Sequence, residues 1–288
     1  KNYFESMSNI AGYYHENLKE YVKNNSLSIL KDKNITNETI IKYKLGLSSN
    51  IENLINYLIK KKVDIELLVK LGVFKVNKNG NKYDMFTNRL MFPIRDRLER
   101  VIGFGGRSLD GSSPKYINSS ENNFFKKRNI LYNMNNLKMM KTREHNLFIV
   151  EGYTDVIAME QNGYNAVAPL GTAISLEQIN LTWKYVNEPN IIFDGDKAGV
   201  NATYRVLDVA LYSIEPEKTL NFIFLAQDED PDSLLKTIEG KIRFKSFIKE
   251  KLSLIETIIK SQITNNLDTP ERVLVYKKKL LSKINNIK

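Results

Sequence analysis

Five carboxylates in three short stretches have the types and spacing for metal-assisted chemistry. Residues 147–150 (LFIV) form an apolar run that ends on Glu151, and Gly152 breaks it. Residues 190–193 (NIIF) read as a short strand that delivers Asp194-Gly195-Asp196. Residues 220–225 (LNFIFL) read as another, followed by Asp228-Glu229-Asp230-Pro231-Asp232. Acids crowded at strand ends repel one another and raise each other's pKa. A divalent cation removes that cost, and Mg²⁺ prefers carboxylate oxygens, keeps some water and bridges to substrate phosphates. Singly, each piece has a plainer reading: Asp-Gly-Asp as a surface turn, Asp-Pro-Asp as a helix start. Together, in order and each after a strand-like run, they read as one site.

The elements that must position these acids follow one grammar: strand, tight turn, helix N-terminus. Thr154-Asp155 opens an apolar-periodic segment through Val156, Ile157 and Met159, so Asp155 lies just inside a helix. In open α/β sheets ligands bind beyond the carboxyl ends of the strands, which is where Glu151, Asp194 and Asp230 fall. Residues 165–169 supply a further strand with Gly171-Thr172 at its end, where an amide could meet a phosphate. Helices are predicted over 175–186, with Trp183 as core, after Asp196, from Thr237 onward, and from Pro270-Glu271. Residues 129–142 read as a joining helix.

Upstream the character differs. Residues 1–50 are helical in pattern, with Ile10, Tyr14 and Leu18 on one face and a cap at Asn34-Ile35-Thr36 with Glu38. Residues 51–71 repeat that pattern around a solvated Lys60-Lys61-Lys62 turn. Residues 72–125 alternate in short segments between turn signals and read as β-rich. They carry Arg95, Arg97, Arg100, Arg107 and Lys115, with Lys126, Lys127 and Arg128 just beyond. Gly103-Phe104-Gly105-Gly106-Arg107 lets backbone approach a ligand and then offers a guanidinium. Phosphates bind Arg as a fork and Lys as a point charge. Arg95 to Arg100 serve equally well as a charged β-surface.

Composition bounds the answer. The chain has 288 residues, enough for two or three subdomains, and a 42% hydrophobic content that fits a globular protein. No apolar run is long enough to span a bilayer, and no signal peptide is visible. With no cysteine, disulfides and thiolate zinc sites are excluded within the chain. The net charge of +10 points to a polyanionic partner, although abundant Lys, Asn and Ile throughout makes a solvated lysine-rich surface a serious rival reading. His15 and His145 are isolated and receive no catalytic role.

The Glu…Asp-x-Asp order on a βα-repeat resembles the Toprim domain of primases, topoisomerases and some nucleases. The flanking runs narrow the match. FPIRDRLERVIGFGGR (92–107), PKYINS (114–119), VEGYTDVIA, FDGDKAG and DEDPD resemble the central RNA polymerase domain of the bacterial DnaG-type primases, in the family's order, over about residues 30–235. The resemblance implies an α/β fold, α+β overall: a Toprim βα-repeat sheet over 129–250, an N-terminal mixed α/β basic subdomain over 1–128, and a C-terminal helical segment over 251–288.

By motif, it implies that Glu151, Asp194, Asp196, Asp230 and Asp232 coordinate or orient Mg²⁺ or Mn²⁺, with Glu151 alternatively a general base and Asp155 a supporting acid. It assigns Arg107, Lys115, Asn118 and Lys127 to nucleotide or template. Lys33 stands where the family tends to carry Arg, which puts that template contact in question; Leu225-Ala226 replaces the family's usual Leu-Pro. The implied activity is template-directed synthesis of short RNA primers on single-stranded DNA from ribonucleoside triphosphates, in a bacterial cytoplasm and with no membrane. Family members carry a zinc module before this region and a helicase-binding domain after it. The expectation is therefore an excised catalytic core without zinc, weak alone, that meets the replicative helicase only through a domain absent here. A Toprim nuclease would use the same acids without needing residues 92–119. A topoisomerase would need a nucleophilic Tyr on a separate cleavage domain, and a non-catalytic binding module would tolerate loss of Glu151 or Asp194.

Overall fold

The computed structural model describes residues 3–48, 51–139, 146–171, 173–262 and 269–285. His145 and Thr172 lie outside them. The chain divides into two compact units, residues 1–135 and 136–288.

The first unit opens with α1 (Tyr3–Asn24), α2 (Ser28–Asp32), α3 (Asn37–Tyr43), β1 (Gly46–Leu47), α4 (Ile51–Lys60) and α5 (Ile65–Lys70). It continues with β2 (Phe74–Val76), β3 (Lys82–Asp84), β4 (Arg89–Arg95), β5 (Val101–Ser108), β6 (Tyr116–Asn118) and β7 (Leu131–Tyr132). Tyr3, Met7, Ile10, Tyr14 and Leu18 recur at helical spacing and form the buried stripe of α1. Tyr3 to Tyr14 of that stripe pack with Leu54 and Leu58 of α4 and with Phe74, Phe86, Met91 and Phe104 in one core. Thr36 caps α3 through Thr39 N–H at 3.2 Å, as the sequence predicts.

An antiparallel sheet in the order β1-β4-β5-β6 forms the frame of this unit. Pro93 sits inside β4, yet β1 pairs only with Leu90 and Met91, so no neighbour on that side needs the missing N–H. Two readings need correction. Residues 1–50 are not wholly helical, because the chain turns extended at Gly46–Leu47 to pair with β4. Residues 129–142 do not form a helix as far as they are described: a 3-10 turn (Lys127–Asn129), β7 and a second 3-10 turn (Met134–Met139) replace it. The reason is local. Asn133 is buried in the left-handed region (φ 68°), which Asn tolerates and an α-helix does not.

The second unit comprises β8 (Leu147–Ile149), α6 (Tyr153–Gln161), β9 (Asn165–Pro169), α7 (Leu176–Thr182), β10 (Asn190–Phe193), α8 (Lys197–Leu211) and β11 (Asn221–Phe224). After them come α9 (Pro231–Leu234), α10 (Ile238–Lys249), β12 (Leu252–Ser253), α11 (Leu254–Gln262) and α12 (Pro270–Ile284). Within its sheet the strands lie in the order β12, β11, β10, β8, β9. β11, β10, β8 and β9 are mutually parallel, and β12 is antiparallel at the edge. All residues of β8 and β10 are buried, as expected of parallel strands covered on both faces. Helix α7 stops at Thr182, short of the predicted 186, as the backbone tightens to i→i−3 turns, Lys184 N–H to Leu181 O at 3.3 Å and Tyr185 N–H to Thr182 O at 2.9 Å; Trp183 is buried, and its Nε1–H donates to Thr219 O at 2.9 Å.

Candidate active site

The parallel sheet puts the carboxyl ends of β8, β10 and β11 on one rim, which brings three of the acidic stretches together. The chain leaves β8 for β9 on one side and then returns to β10 on the other, so the strand order reverses between β8 and β10. Such a reversal splays the loops apart and opens a crevice, the usual ligand position in open α/β sheets. Glu151 and Asp194 flank it. Glu151 Oε1 accepts the Asp194 N–H at 3.0 Å, so a side chain from one loop is tied to the backbone of the other.

Burial pushes the Glu151 carboxyl above its ordinary pKa. The Asp194 N–H draws it back, and the Asp196 carboxylate pushes it up further. Asp196 caps α8 with one carboxylate oxygen, Oδ1, which accepts Gly199 N–H at 2.7 Å. Two glycines make this crowding possible. A Cβ on Gly195 would stand 1.8 Å from Ala226 O, and one on Gly199 would stand 2.2 Å from Asp194 O and 2.7 Å from Glu151 Oε1. Both are sites of close backbone approach, where only hydrogen fits.

The remaining acids divide. Asp155 is buried and binds back to Gly152 N–H at 3.0 Å, fixing the turn that carries Glu151. Asp230 caps α9 through Ser233 N–H at 2.6 Å. Asp232 is 2% exposed and its Oδ2 accepts from Lys236 Nζ at 2.9 Å, an ion pair that already neutralises it. Among the described residues no group of three acidic or His side chains converges as a ready-made ligand set. The donor chemistry at Glu151, Asp194 and Asp196 nonetheless fits a hard divalent cation. The three supply oxygen only, the donor type that such an ion prefers. One or two carboxylates suffice for such an ion when water and phosphate complete its shell. Asp232, spent on Lys236, fits that role less well.

In the first unit, paired residues of β5 and β6 share a sheet face. Arg107 pairs with Tyr116 and Gly105 with Asn118, so Arg107, Tyr116 and Asn118 lie together on the face opposite buried Phe104. Arg107 Nη1 donates to Tyr116 Oη at 2.5 Å, and its guanidinium lies 5.2 Å from that ring's centroid. Lys115 is exposed at the start of β6. Lys127 opens a turn held by its N–H to Glu121 Oε1 at 2.7 Å. Lys33 is the half-buried C-cap of α2, remote in sequence from this ladder. One contributor was not legible in the sequence. Arg89 is buried, and its Nη1 donates to Pro114 O at 3.0 Å, Lys115 O at 3.3 Å and Gly106 O at 3.4 Å. It therefore fixes the backbone that presents Lys115. Nothing in its local pattern separates it from a surface arginine.

Residues 13–138 match the family model of the DNA primase catalytic core, N-terminal domain, and residues 145–220 match the Toprim domain. The Escherichia coli primase catalytic core superposes with a TM-score of 0.88 at 32% identity, over 99% of this chain and 92% of that one. The chain belongs to the DnaG-type primase catalytic cores. A DnaG primase catalytic domain solved bound to single-stranded DNA matches this DnaG-type core with a TM-score of 0.86 at 32% identity, over 99% and 92% of the two chains. The DNA primase of Pasteurella multocida is 36% identical over 263 residues, 91% of this chain and 45% of the relative. The DnaG-type core thus spans about half the length of the curated relatives it matches. Toprim primases are metal-dependent, in keeping with the acidic rim. Among the described residues no helix is long and apolar enough to cross a membrane.

Proposed function

We propose that the chain is the catalytic core of a DNA primase that synthesises short RNA primers on a single-stranded DNA template from ribonucleoside triphosphates during replication in the bacterial cytoplasm. The observation that carries this reading is the Glu151–Asp194 hydrogen bond across the β8/β10 crevice, in a chain of this family. Glu151, Asp194 and Asp196 would hold Mg²⁺ or Mn²⁺, and Asp230 would stand beside them. Asp232, through its pair with Lys236, and Asp155, through Gly152, would act by holding the surrounding backbone. When bound, the ion would offset charge on the triphosphate and on the departing pyrophosphate. Alternatively, Glu151 would leave the ion to Asp194 and Asp196 and act as the general base that accepts the proton of the attacking hydroxyl, a role that its burial-raised carboxyl suits. Arg107, with Tyr116 and Asn118 on its face, and Lys115 and Lys127 on the adjoining loops would grip phosphates of nucleotide or template, with Lys33 as a further template contact. A division at 128/129 and 250/251 into basic, metal-binding and C-terminal parts accompanies this reading. The replicative helicase would be a partner of the whole protein.

The test is incubation of the chain with single-stranded DNA, labelled ribonucleotides and either metal, beside Asp194→Ala. Short RNA lost in the variant is expected. Shortened DNA without RNA would replace this reading with a Toprim nuclease, and RNA made equally by the variant would remove the chemistry from the acidic rim.

A further inference from the structure

The Asp194-Gly195-Asp196 turn is held from a direction that the motif itself does not contain. Gly195 N–H donates to Glu229 O at 2.7 Å, and the backbone of Ala226 passes so close to Gly195 that no side chain fits between them. The 226–230 loop therefore lies directly on the turn. Glu229 is in turn anchored from α10: its Oε1 pairs with Nη1 of Arg243, and only 18% of its side chain is exposed. Its other oxygen is buried without a hydrogen bond, which leaves its desolvation cost to be offset elsewhere. Arg243 is itself set by the start of α10, where Thr237 caps Gly240 N–H at 3.0 Å, and its guanidinium lies 5.9 Å from the Phe247 ring centroid.

We infer that Glu229 and Arg243 are positioning residues for the acidic site: the Arg243–Glu229 pair fixes the 226–230 loop, whose Glu229 carbonyl fixes the turn that aims Asp194 and Asp196. This rests on the assignment of a cation to those two carboxylates. Neither residue touches the reacting atoms. Ligand-orienting groups of this kind set metal affinity through geometry, and their loss lowers it by about ten-fold or more.

Charge and geometry make opposite predictions, which renders the inference testable. If Arg243 acted only by its charge, Arg243→Ala would tighten cation binding and Glu229→Gln would weaken it. If the pair positions the turn, both variants weaken binding. Mn²⁺ binding to the intact chain is read by electron paramagnetic resonance, and exchange of the Gly195 amide by NMR, for the wild type, Arg243→Ala, Arg243→Lys, Glu229→Gln and Asp194→Ala. Expected are about ten-fold weaker Mn²⁺ binding and faster Gly195 exchange in both Arg243→Ala and Glu229→Gln, with partial recovery in Arg243→Lys. Unchanged exchange with unchanged or tighter Mn²⁺ binding in Arg243→Ala would overturn the inference. If Arg243→Ala does not fold, Glu229→Gln alone decides through its Gly195 exchange. A wild type that binds no Mn²⁺ would sink the metal assignment instead, while the Gly195 amide would still report whether the pair holds the turn.

Discussion

Asp84 shows how a single residue can set the pH dependence of this fold. It is 2% exposed, accepts the Tyr14 hydroxyl and Phe86 N–H (2.8 Å), and its carboxyl is pushed up to about 6 from 3.8. Burial is the cause; both hydrogen bonds oppose it. A carboxyl raised in the folded state stabilises the fold fully below its unfolded pKa, and that contribution is lost as pH rises through the folded value. Stability should therefore fall between about pH 4 and 6.5, by on the order of 3 kcal/mol. Asp84→Asn keeps an acceptor for Phe86 and removes the titration, so urea unfolding across that range should be flatter by this amount. Arg89 makes the opposite kind of contribution. Its Nη1 serves three carbonyls, and Arg89→Met should cost about 2–3 kcal/mol in urea unfolding. It should also weaken single-stranded DNA binding, because the Lys115 backbone loses its anchor. The local sequence distinguishes neither Asp84 nor Arg89 from a surface charge, since burial is decided by residues far along the chain.

At the scale of the element, the helix N-termini after the parallel strands carry two tasks at once. Asp196 both caps α8 and acts electrostatically on Glu151. Asp196→Asn keeps a capping oxygen and removes the charge, so it should leave stability within about 0.5 kcal/mol of wild type, whereas Asp196→Ala should cost about 1 kcal/mol. Both should lose primer synthesis. Thermal or urea unfolding run beside the primer assay separates the two tasks. The strand-turn-helix grammar was legible around Glu151 and Asp194 because parallel strands are short, apolar and punctuated. The segment at 129–142 was not legible, because its apolar residues Ile130, Leu131 and Leu137 suit a helix until Asn133 takes a left-handed conformation.

For the whole molecule, the net charge of +10 matters only where cations face a polyanion. If Lys33, Arg107, Lys115 and Lys127 all neutralise template phosphates, the logarithm of single-stranded DNA affinity should fall against the logarithm of salt with a slope of about −3. Lys115→Ala should reduce that slope by about 0.7 at any template sequence, as read by fluorescence anisotropy. A slope unchanged by the substitution would take Lys115 out of the interface.

By itself the sequence determined the parallel strands of the second unit with the helices between them, the acids at their ends and the family, but not β12, whose Leu252–Ser253 interrupt the helical run read from Thr237 because they pair with β11. Those features are local: periodicity, turn residues and motif spacing lie within a few residues of one another. Only the tertiary structure decided which acids become neighbours. The reversal of strand order at β8 sets Glu151 against Asp194, while Lys236 takes Asp232 and α9 takes Asp230 as its cap. Tertiary structure also decided that Arg89 and Asp84 are interior and that Arg243 reaches Glu229. Burial and pairing depend on what folds over a residue, and that partner is seldom its neighbour in the chain.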